Sequence, residues 1–391
     1  MDRRDFVRGM CLGGLATFAA PLVTFARVPA RGRLVFVLLR GGFDGMAALI
    51  PVGDPAYAGL RGPMAYGGGD VTALDATFGL APGLAPLKDF WDAGELVAVH
   101  ALAIPYRTRS HFDGQAVLET GLDKPTGASD GWLNRLLQVM GGDRSGIAVA
   151  AGMPRSLAGP HPVLSWSPTE LGTVEEAYVE RLHVLYRRDA LLQDRFEAAL
   201  QLQDLQKEEG MDPTMGVRAG GRNRMAPVLE ATARFLRDPL GPNIAAVEFS
   251  GWDTHANQGM AGGALDRLLG QLAEALGGFK ADMGGAWGDT TVVVMTEFGR
   301  TARPNGTGGT DHGTAGAGFV LGPGVAGSAV LSDWPGLGQR DLYEGRDLRP
   351  TLDTRALLKG VTSGVFDLTP AQAARIFPGS ESVRPVAGLM R

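Results

Sequence analysis

The sequence predicts an α/β fold in which one large domain is built on a mostly parallel central sheet. Strand-like and helix-like segments alternate along the 391 residues, which favours one domain with insertions over two separate domains. Several strand-like runs, such as residues 292–295, are continuously apolar, as is typical of strands buried on both faces of a parallel sheet. Hydrophobic residues make up 45% of the chain, so a large core can be buried.

The predicted strands and helices follow one another in a regular order. Apolar runs predict strands at residues 33–39, 95–100, 147–151, 243–250, 292–295 and 318–322. Apolar residues at helical spacing predict helices near residues 86–93, 115–120, 224–237 and 265–283, with closing helices between 348 and 378. A longer amphipathic pattern predicts a helical insertion, at about residues 170–215, that packs against the sheet or covers the site.

The N-terminal residues have the pattern of an export signal. Arg3 and Arg4 form a twin-arginine pair, and the apolar stretch that follows at residues 10–25 is short for a membrane span. We therefore expect residues 1–30 to be a cleaved twin-arginine signal and residues 31–391 to be a periplasmic or secreted domain with no membrane span of its own. If the segment is an export signal, the twin-arginine export machinery is a partner of the protein. The alternative is an uncleaved membrane anchor.

Cysteine usage argues against thiol chemistry, and the charge of the chain argues against a nucleic acid partner. The single cysteine, Cys11, lies in the predicted signal, so the mature chain would have no disulfide, thiolate metal ligand or cysteine nucleophile. The net charge is −5, and no basic stripe or stacking motif accompanies it. We therefore expect no nucleic acid partner.

Polar clusters follow several of the predicted strands, at the positions where ligands gather in open α/β sheets. They contain the candidate metal ligands Asp44, His111, Asp253, His255, Glu297, Asp311 and His312. Carboxylate and imidazole ligands without thiolates suit zinc, manganese, magnesium or calcium. Two such metals about 4 Å apart could hold the attacking and the leaving oxygen of a displacement.

Two further roles would complete such a site. Ser110 is the candidate nucleophile, with Thr108 as the weaker choice, because a nearby metal and a helix N-terminus would both make its hydroxyl easier to ionise. Arg300, Arg109 or Arg107 could hold a phosphate or sulfate group, since a guanidinium group matches two anionic oxygens.

Each of these residues also has a purely structural interpretation. Asp44 could only satisfy the glycine-rich turn around it. Glu297 and Arg300 could form only an ion pair, and Ser110 could be a helix cap. The aspartate near each of the two later histidines could orient a ring that binds no metal.

Five motifs together carry a family resemblance. They are Arg40-Gly-Gly-Phe-Asp-Gly, Tyr106-Arg-Thr-Arg-Ser-His-Phe-Asp, Gly251-Trp-Asp-Thr-His, Thr296-Glu-Phe-Gly-Arg-Thr and Gly309-Thr-Asp-His-Gly. In this order, behind a twin-arginine leader, they resemble the exported bacterial family known as domain of unknown function 1501. That family is similar to a branch of the alkaline phosphatase superfamily, whose members include phosphatases, sulfatases and phosphoglycerate mutases.

The resemblance implies an alkaline-phosphatase-like central sheet with helices on both faces and a two-metal site at the strand ends. By this analogy Asp44 would bind one metal, and Asp253 and His255 would bind the other together with His312. Ser110 would stand where the superfamily has its hydroxyl nucleophile.

Part of the chain departs from that superfamily pattern. Glu297 follows the strand after which an Asp-His pair is usual, and Phe298 occupies the position of the expected histidine. The missing ligand would then come from His111 or Asp311. No serine or cysteine has the spacing to proline and arginine that a formylglycine sulfatase requires, which argues against that branch.

The leading hypothesis is an exported hydrolase of phosphate or sulfate esters that depends on divalent metal ions, with zinc as the first choice. Its substrate would be a small anionic ester. The main alternative is a non-catalytic protein of the same fold that binds a cell-envelope glycan or protein partner. A third alternative is a structural secreted protein that holds an incidental cation.

Overall fold

A computed structural model describes residues 32–142, 145–167 and 224–391, together with Tyr186 and Gln193. The predicted signal at residues 1–30 lies outside the described residues. The predicted insertion at about 170–215 also lies outside them, apart from Tyr186 and Gln193, which are both helical. Among the described residues, no helix is both long enough and apolar enough to cross a membrane.

A large mixed sheet forms the centre of the protein. Its strands are β1 (Arg33–Arg40), β5 (Leu96–Ala103), β6 (Gly146–Val149), β7 (Leu164–Trp166), β8 (Ile244–Ser250), β9 (Thr290–Met295), β10 (Gly316–Leu321), β11 (Ala329–Leu331) and β12 (Leu352–Asp353). The spatial order is β11-β5-β10-β9-β1-β8-β6-β7, with β12 pairing beside β5. Strand β10 is antiparallel to both of its neighbours, and the other pairings are parallel. The predicted, mostly parallel sheet is therefore confirmed.

Helices cover both faces of this sheet. They are α1 (Tyr57–Arg61), α2 (Lys88–Asp92), α3 (His111–Thr120), α4 (Trp132–Met140), α5 (Ala226–Arg237), α6 (Ala264–Met283), α7 (Thr354–Phe366) and α8 (Pro370–Ile376). Alternate side chains of β1 point to opposite faces, as they do in any strand. Val35 and Val37 pack into one apolar cluster with Leu272 of α6. Phe36 packs into a second cluster with Trp132 of α4.

The register of the central strands determines where the site forms. Strand β1 runs parallel to β8 on one side and to β9 on the other, with Leu38 opposite both Glu248 and Met295. The loops that follow these three strands therefore leave the sheet at the same edge. Three of the five motifs begin at this edge, at Arg40, Gly251 and Thr296.

Several boundaries differ from the predicted ones. Helix α3 begins at His111 rather than near residue 115, because Ser110 caps it. In place of the helix predicted near residues 86–93, the structure has a 3-10 helix, Pro82–Leu87, followed by the short helix α2. Helix α4 was not predicted. Nor was a small second sheet of the strands β2 (Leu49–Ile50), β3 (Thr72–Ala73) and β4 (Gly79–Leu80), because two-residue strands are too short to show a period.

Candidate metal centre

Three histidines from distant parts of the chain meet beyond the carboxyl edge of β1, β8 and β9. The Nε2 atom of His312 lies 2.9 Å from Nε2 of His111 and 2.9 Å from Nε2 of His255. His111 opens helix α3, and the other two lie in the loops that follow β8 and β9. All three are metal ligands predicted from the sequence, and the structure brings them together.

The opposite nitrogen of each ring contacts an oxygen. In His111, Nδ1 lies 2.7 Å from Oε1 of Glu297. In His255, Nδ1 lies 3.1 Å from Oδ1 of Asp311, and in His312 it lies 3.0 Å from the carbonyl oxygen of Arg109. An ionised carboxylate or a carbonyl can only accept a hydrogen bond, so the ring hydrogen lies on Nδ1 in each neutral ring. The three Nε2 atoms then face one another with their lone pairs.

The carboxylate of Asp253 lies beside these lone pairs. Its Oδ1 is 3.0 Å from Nε2 of His255 and 3.3 Å from Nε2 of His312, and its Oδ2 is 3.4 Å from Nε2 of His111. One ligand atom from each of His111, Asp253 and His312 fits within 4.8 Å of the others, a spacing that could hold a metal ion. We call His111, Asp253, His255 and His312 the histidine cluster.

The pKa values of both acids are lowered, whereas those of His111 and His312 shift in opposite directions. Burial would raise the pKa of Glu297, but hydrogen bonds from His111 and Gln115 hold that pKa below its usual range. Burial would likewise raise the pKa of Asp253, and Arg300 beside it lowers that pKa below its usual range. The hydrogen bond to Glu297 raises the pKa of His111, whereas burial and the charge of His111 lower the pKa of His312.

Arg300 holds the carboxylate of Asp253 in place within the histidine cluster. Arg300 is 1% exposed, and its guanidinium group donates to the carboxylate of Asp253. It also donates to backbone carbonyls, including those of Gly41 at 2.5 Å and Thr310 at 2.9 Å. The ion pair of Arg300 is thus with Asp253, whereas Glu297 pairs with His111. Because protein oxygens already contact its nitrogens, the use of Arg300 to bind a phosphate or sulfate group stays a prediction.

Asp44 has a different set of partners. Its Oδ2 accepts from Arg61 at 2.5 Å and from Gln258 at 2.9 Å, and both charged side chains of the pair are almost fully buried. Gln258 in turn accepts from the hydroxyl of Thr310. These contacts describe a buried ion pair, so Asp44 as a metal ligand stays a prediction that they do not support. The sequence contained no local signal for Arg61, which comes from helix α1.

Ser110 occupies the N-cap position of helix α3, where its hydroxyl accepts from the backbone N–H of Asp113 at 3.5 Å. Its two neighbours in the chain connect it to the histidine cluster. The carbonyl of Arg109 contacts His312, and His111 belongs to the cluster. Its position is therefore compatible with both roles that the sequence allowed, a cap and a nucleophile.

Several residues that support the cluster were not predicted. Gln115 donates to Glu297 at 3.0 Å, and Asn305 donates to Asp311 at 3.0 Å. Asp347, which is fully buried, pairs with Arg109. Gln115 lies four residues after His111, so its place on the same face of a helix was the one available signal. The other two lie in loops, where no period reports on contacts.

Comparison with known proteins gives one family and several weakly similar structures. The structure titled Ps i-CgsB in complex with k-i-k-neocarrahexaose is 8% identical, with a TM-score of 0.45, and the match covers 91% of this chain and 77% of that one. The alkaline phosphatase from the Antarctic bacterium TAB5 is 10% identical, with a TM-score of 0.37, covering 89% of this chain and 98% of that one.

The C-terminal periplasmic domain of EcEptC from Escherichia coli, in complex with zinc, is 12% identical, with a TM-score of 0.36 and a match over 75% of this chain and 73% of that one. No curated protein sequence matches the chain. A family model described as "Protein of unknown function (DUF1501)" matches residues 97–377, which is most of the chain. This protein therefore belongs to the DUF1501 family, as its five motifs predicted.

Proposed function

We propose that the histidine cluster binds a divalent metal ion and that the protein is a metal-dependent hydrolase of phosphate or sulfate esters. One observation carries the metal site. Each of the three imidazoles has an oxygen at Nδ1, and the three Nε2 atoms converge beside the carboxylate of Asp253. Lone pairs and a carboxylate at such distances repel one another unless a cation or a proton lies between them.

The donor atoms favour zinc over calcium or magnesium. Three imidazole nitrogens and one carboxylate oxygen are ligands that zinc accepts, whereas calcium and magnesium prefer oxygen ligands throughout. Glu297 and Asp311, which the sequence suggested as ligands, instead contact Nδ1 of His111 and His255. Carboxylates in that position orient a ligating histidine and raise its basicity. We therefore propose one metal site in place of the two that the superfamily analogy implied.

A substrate could reach this site from solvent. The side chains of Asp253 and His255 are 42% and 43% exposed, whereas that of Glu297 is fully buried. The cluster thus combines an accessible side with a rigid buried support. This arrangement suits a small anionic ester that approaches from outside.

The residues of the chain would divide the work of hydrolysis. A bound metal would supply positive charge to an anionic ester and its transition state. Ser110, held at the helix N-terminus beside the cluster, would form a bond from its oxygen to phosphorus or sulfur while the bond to the ester oxygen breaks. Its hydroxyl proton would pass to the departing oxygen, which leaves as the alcohol. Water would then release phosphate or sulfate and restore the serine hydroxyl. Arg300 would keep Asp253 ionised and in place.

The test measures metal binding before activity. Purified protein is loaded with zinc, dialysed and analysed for metal content, alongside His255→Ala and His312→Ala. His161→Ala is the control, because His161 lies between two prolines and contacts the carbonyl of Pro162. We expect about one equivalent of zinc in the wild type and the control, and its loss in both cluster variants. A wild type that binds no zinc would overturn the proposal.

Activity is tested separately on panels of phosphate and sulfate monoesters. Turnover that disappears with a chelator and returns with zinc would support the hydrolase assignment. Zinc binding without turnover on either panel would favour the second candidate, a non-catalytic protein that binds a cell-envelope glycan or protein. The observations that favour this candidate are the cap position of Ser110 and the guanidinium of Arg300, in which each nitrogen already donates to a protein oxygen.

We also propose that the chain is exported through the twin-arginine pathway. The support is the Arg3-Arg4 pair ahead of a short apolar stretch. Arg3→Lys combined with Arg4→Lys should trap a tagged protein in the cytoplasm, whereas the wild type should reach the periplasm or the medium. Equal export of both forms would contradict this route.

A further inference from the structure

The backbone of Arg109 has an uncommon conformation next to the histidine cluster. Its φ angle is +63°, in the left-handed region that residues other than glycine rarely adopt. In this conformation its carbonyl oxygen accepts a hydrogen bond from Nδ1 of His312 at 3.0 Å. That contact determines which nitrogen of His312 is free to face the cluster. A residue that fixes the backbone of Arg109 therefore also determines which ring nitrogen of His312 carries the hydrogen.

Asp347 holds Arg109 in place. Its side chain is fully buried, and its Oδ2 accepts from Nε of Arg109 at 2.8 Å. The same oxygen accepts from the hydroxyl of Thr314 at 2.8 Å. Thr314 lies two residues after His312. One carboxylate thus ties the segment that supplies the acceptor carbonyl to the segment that carries the histidine.

The position of Asp347 is itself fixed by the surrounding loop. Its backbone N–H donates to the carbonyl of Tyr343 at 3.0 Å, and Arg346 donates to its Oδ1 at 2.9 Å. It also forms an isolated β-bridge with Thr301, which follows Arg300. A buried carboxylate is costly unless it is paired, and here two arginines and a threonine partner it.

We propose that Asp347 and Arg109 are positioning residues of the metal centre. Asp347 fixes Arg109 so that the carbonyl of Arg109 keeps the ring hydrogen of His312 on Nδ1 and leaves Nε2 free for a metal ion. This inference rests on the proposed metal binding, but it makes a separate statement about the metal-free protein. The tautomer of His312 should depend on a carboxylate that touches neither the ring nor the metal.

The first test uses the metal-free protein. Nitrogen-15 spectra of histidine-labelled protein distinguish a ring with hydrogen on Nδ1 from one with hydrogen on Nε2. In the wild type, His312 should carry its hydrogen on Nδ1, whereas in Asp347→Asn it should populate both tautomers. The matched control is Asp266→Asn, which changes another buried aspartate, one that accepts from the backbone N–H groups of Gly83 and Gly262. It should leave His312 unchanged.

The second test measures zinc affinity by competition with a chelator. Asp347→Asn should weaken zinc binding roughly tenfold, as is usual when an outer partner of a metal ligand is lost. Arg109→Lys, which keeps a cation beside Asp347, should weaken it less than Arg109→Gly, which accepts the left-handed backbone but removes the anchor. A folded Asp347→Asn protein with wild-type tautomer and affinity would overturn the inference. A wild type that binds no zinc would instead overturn the proposed function, while the tautomer test would still apply.

Discussion

The ring of Phe298 packs against the imidazole of His111, with 4.8 Å between the ring centroids. The same ring lies 5.1 Å from that of His312. Phe298 is 4% exposed, and a methyl group on Gly42 would meet its ring at 2.7 Å. At the position where the superfamily analogy expected a ligand, the chain therefore has an apolar wall that confines two of the three imidazoles.

Phe298→Ala should weaken metal binding as well as the fold. Removing a buried aromatic ring lowers the free energy of unfolding by about 3 to 5 kcal/mol, and here it would also free the rings of His111 and His312 to move. Phe298→Leu, which keeps most of the volume, should cost about 1.5 kcal/mol and retain most of the zinc affinity. Urea denaturation and chelator competition measure the two effects. Unchanged zinc affinity in Phe298→Ala would show that the wall does not position the ligands.

Glu297→Gln should lower zinc affinity by about 10-fold to 100-fold. The carboxylate accepts from Nδ1 of His111 at 2.7 Å and from the N–H of Gly41 at 2.9 Å. A neutral amide at this position no longer raises the basicity of His111, although it keeps nearly the same volume. Gln115→Ala, which removes one donor to Glu297 and leaves its charge, should have a smaller effect. Chelator competition measures which variant loses more zinc affinity, and circular dichroism checks that both are folded. A larger loss in Gln115→Ala than in Glu297→Gln would contradict this prediction.

Arg300→Lys should destabilise the protein strongly. The single ammonium group of lysine cannot replace the bonds to the carbonyls of Gly41, Gly42 and Thr310 together with the bond to Asp253. We expect the free energy of unfolding to fall by about 3 kcal/mol, because buried acceptors lose their donors. Arg303→Lys, an exposed arginine three residues later, should change it by less than about 0.5 kcal/mol. Equal midpoints of urea denaturation for Arg300→Lys and the wild type would contradict this account.

Substitutions of Ser110 can separate its two possible roles. Ser110→Asn keeps an N-cap acceptor but removes the hydroxyl, whereas Ser110→Ala removes both and should cost about 1 kcal/mol of stability. If Ser110 is the nucleophile, both variants should lose ester hydrolysis, while zinc content stays at the wild-type level. Ser110→Thr should retain part of the activity. Full activity in Ser110→Asn would show that Ser110 is only a cap.

His100 should make the fold sensitive to acid. Burial lowers the pKa of its ring to about 4, and the neutral ring is fixed by an N–H donated from Ala101 to Nδ1 and by a contact of Nε2 with the carbonyl of Leu49. Because the folded pKa lies below the ordinary value of about 6.5, the unfolded chain binds the proton first as the pH falls. Stability from this group is thus complete above about pH 6.5, declines between there and pH 4, and is lost below pH 4.

The full loss from His100 would be about 3 kcal/mol. His100→Gln cannot titrate in this range, so its unfolding free energy should depend less on pH than that of the wild type. Urea denaturation at several values between pH 4 and pH 7 measures the difference between the two proteins. Parallel curves would show that His100 does not cause the acid sensitivity.

The sequence alone determined the sheet and the positions of the candidate residues. Continuous apolar runs identified β1, β5, β8 and β9 within a few residues, because burial on both faces leaves no polar positions in a strand. The polar residues that follow those runs had to lie at the carboxyl edge of a parallel sheet. The three histidines and Asp253 were therefore predicted without coordinates, and the five motifs were sufficient to identify the family.

Only the tertiary structure decided which polar residues act together. It paired Asp44 with Arg61, placed Glu297 and Asp311 against the Nδ1 atoms of His111 and His255, and joined Arg109 to Asp347. The contact between His111 and His312 spans 201 residues of sequence. Periodicity reports which face of an element is buried, but a contact between loops depends on how whole elements pack, and no local pattern in the chain encodes it.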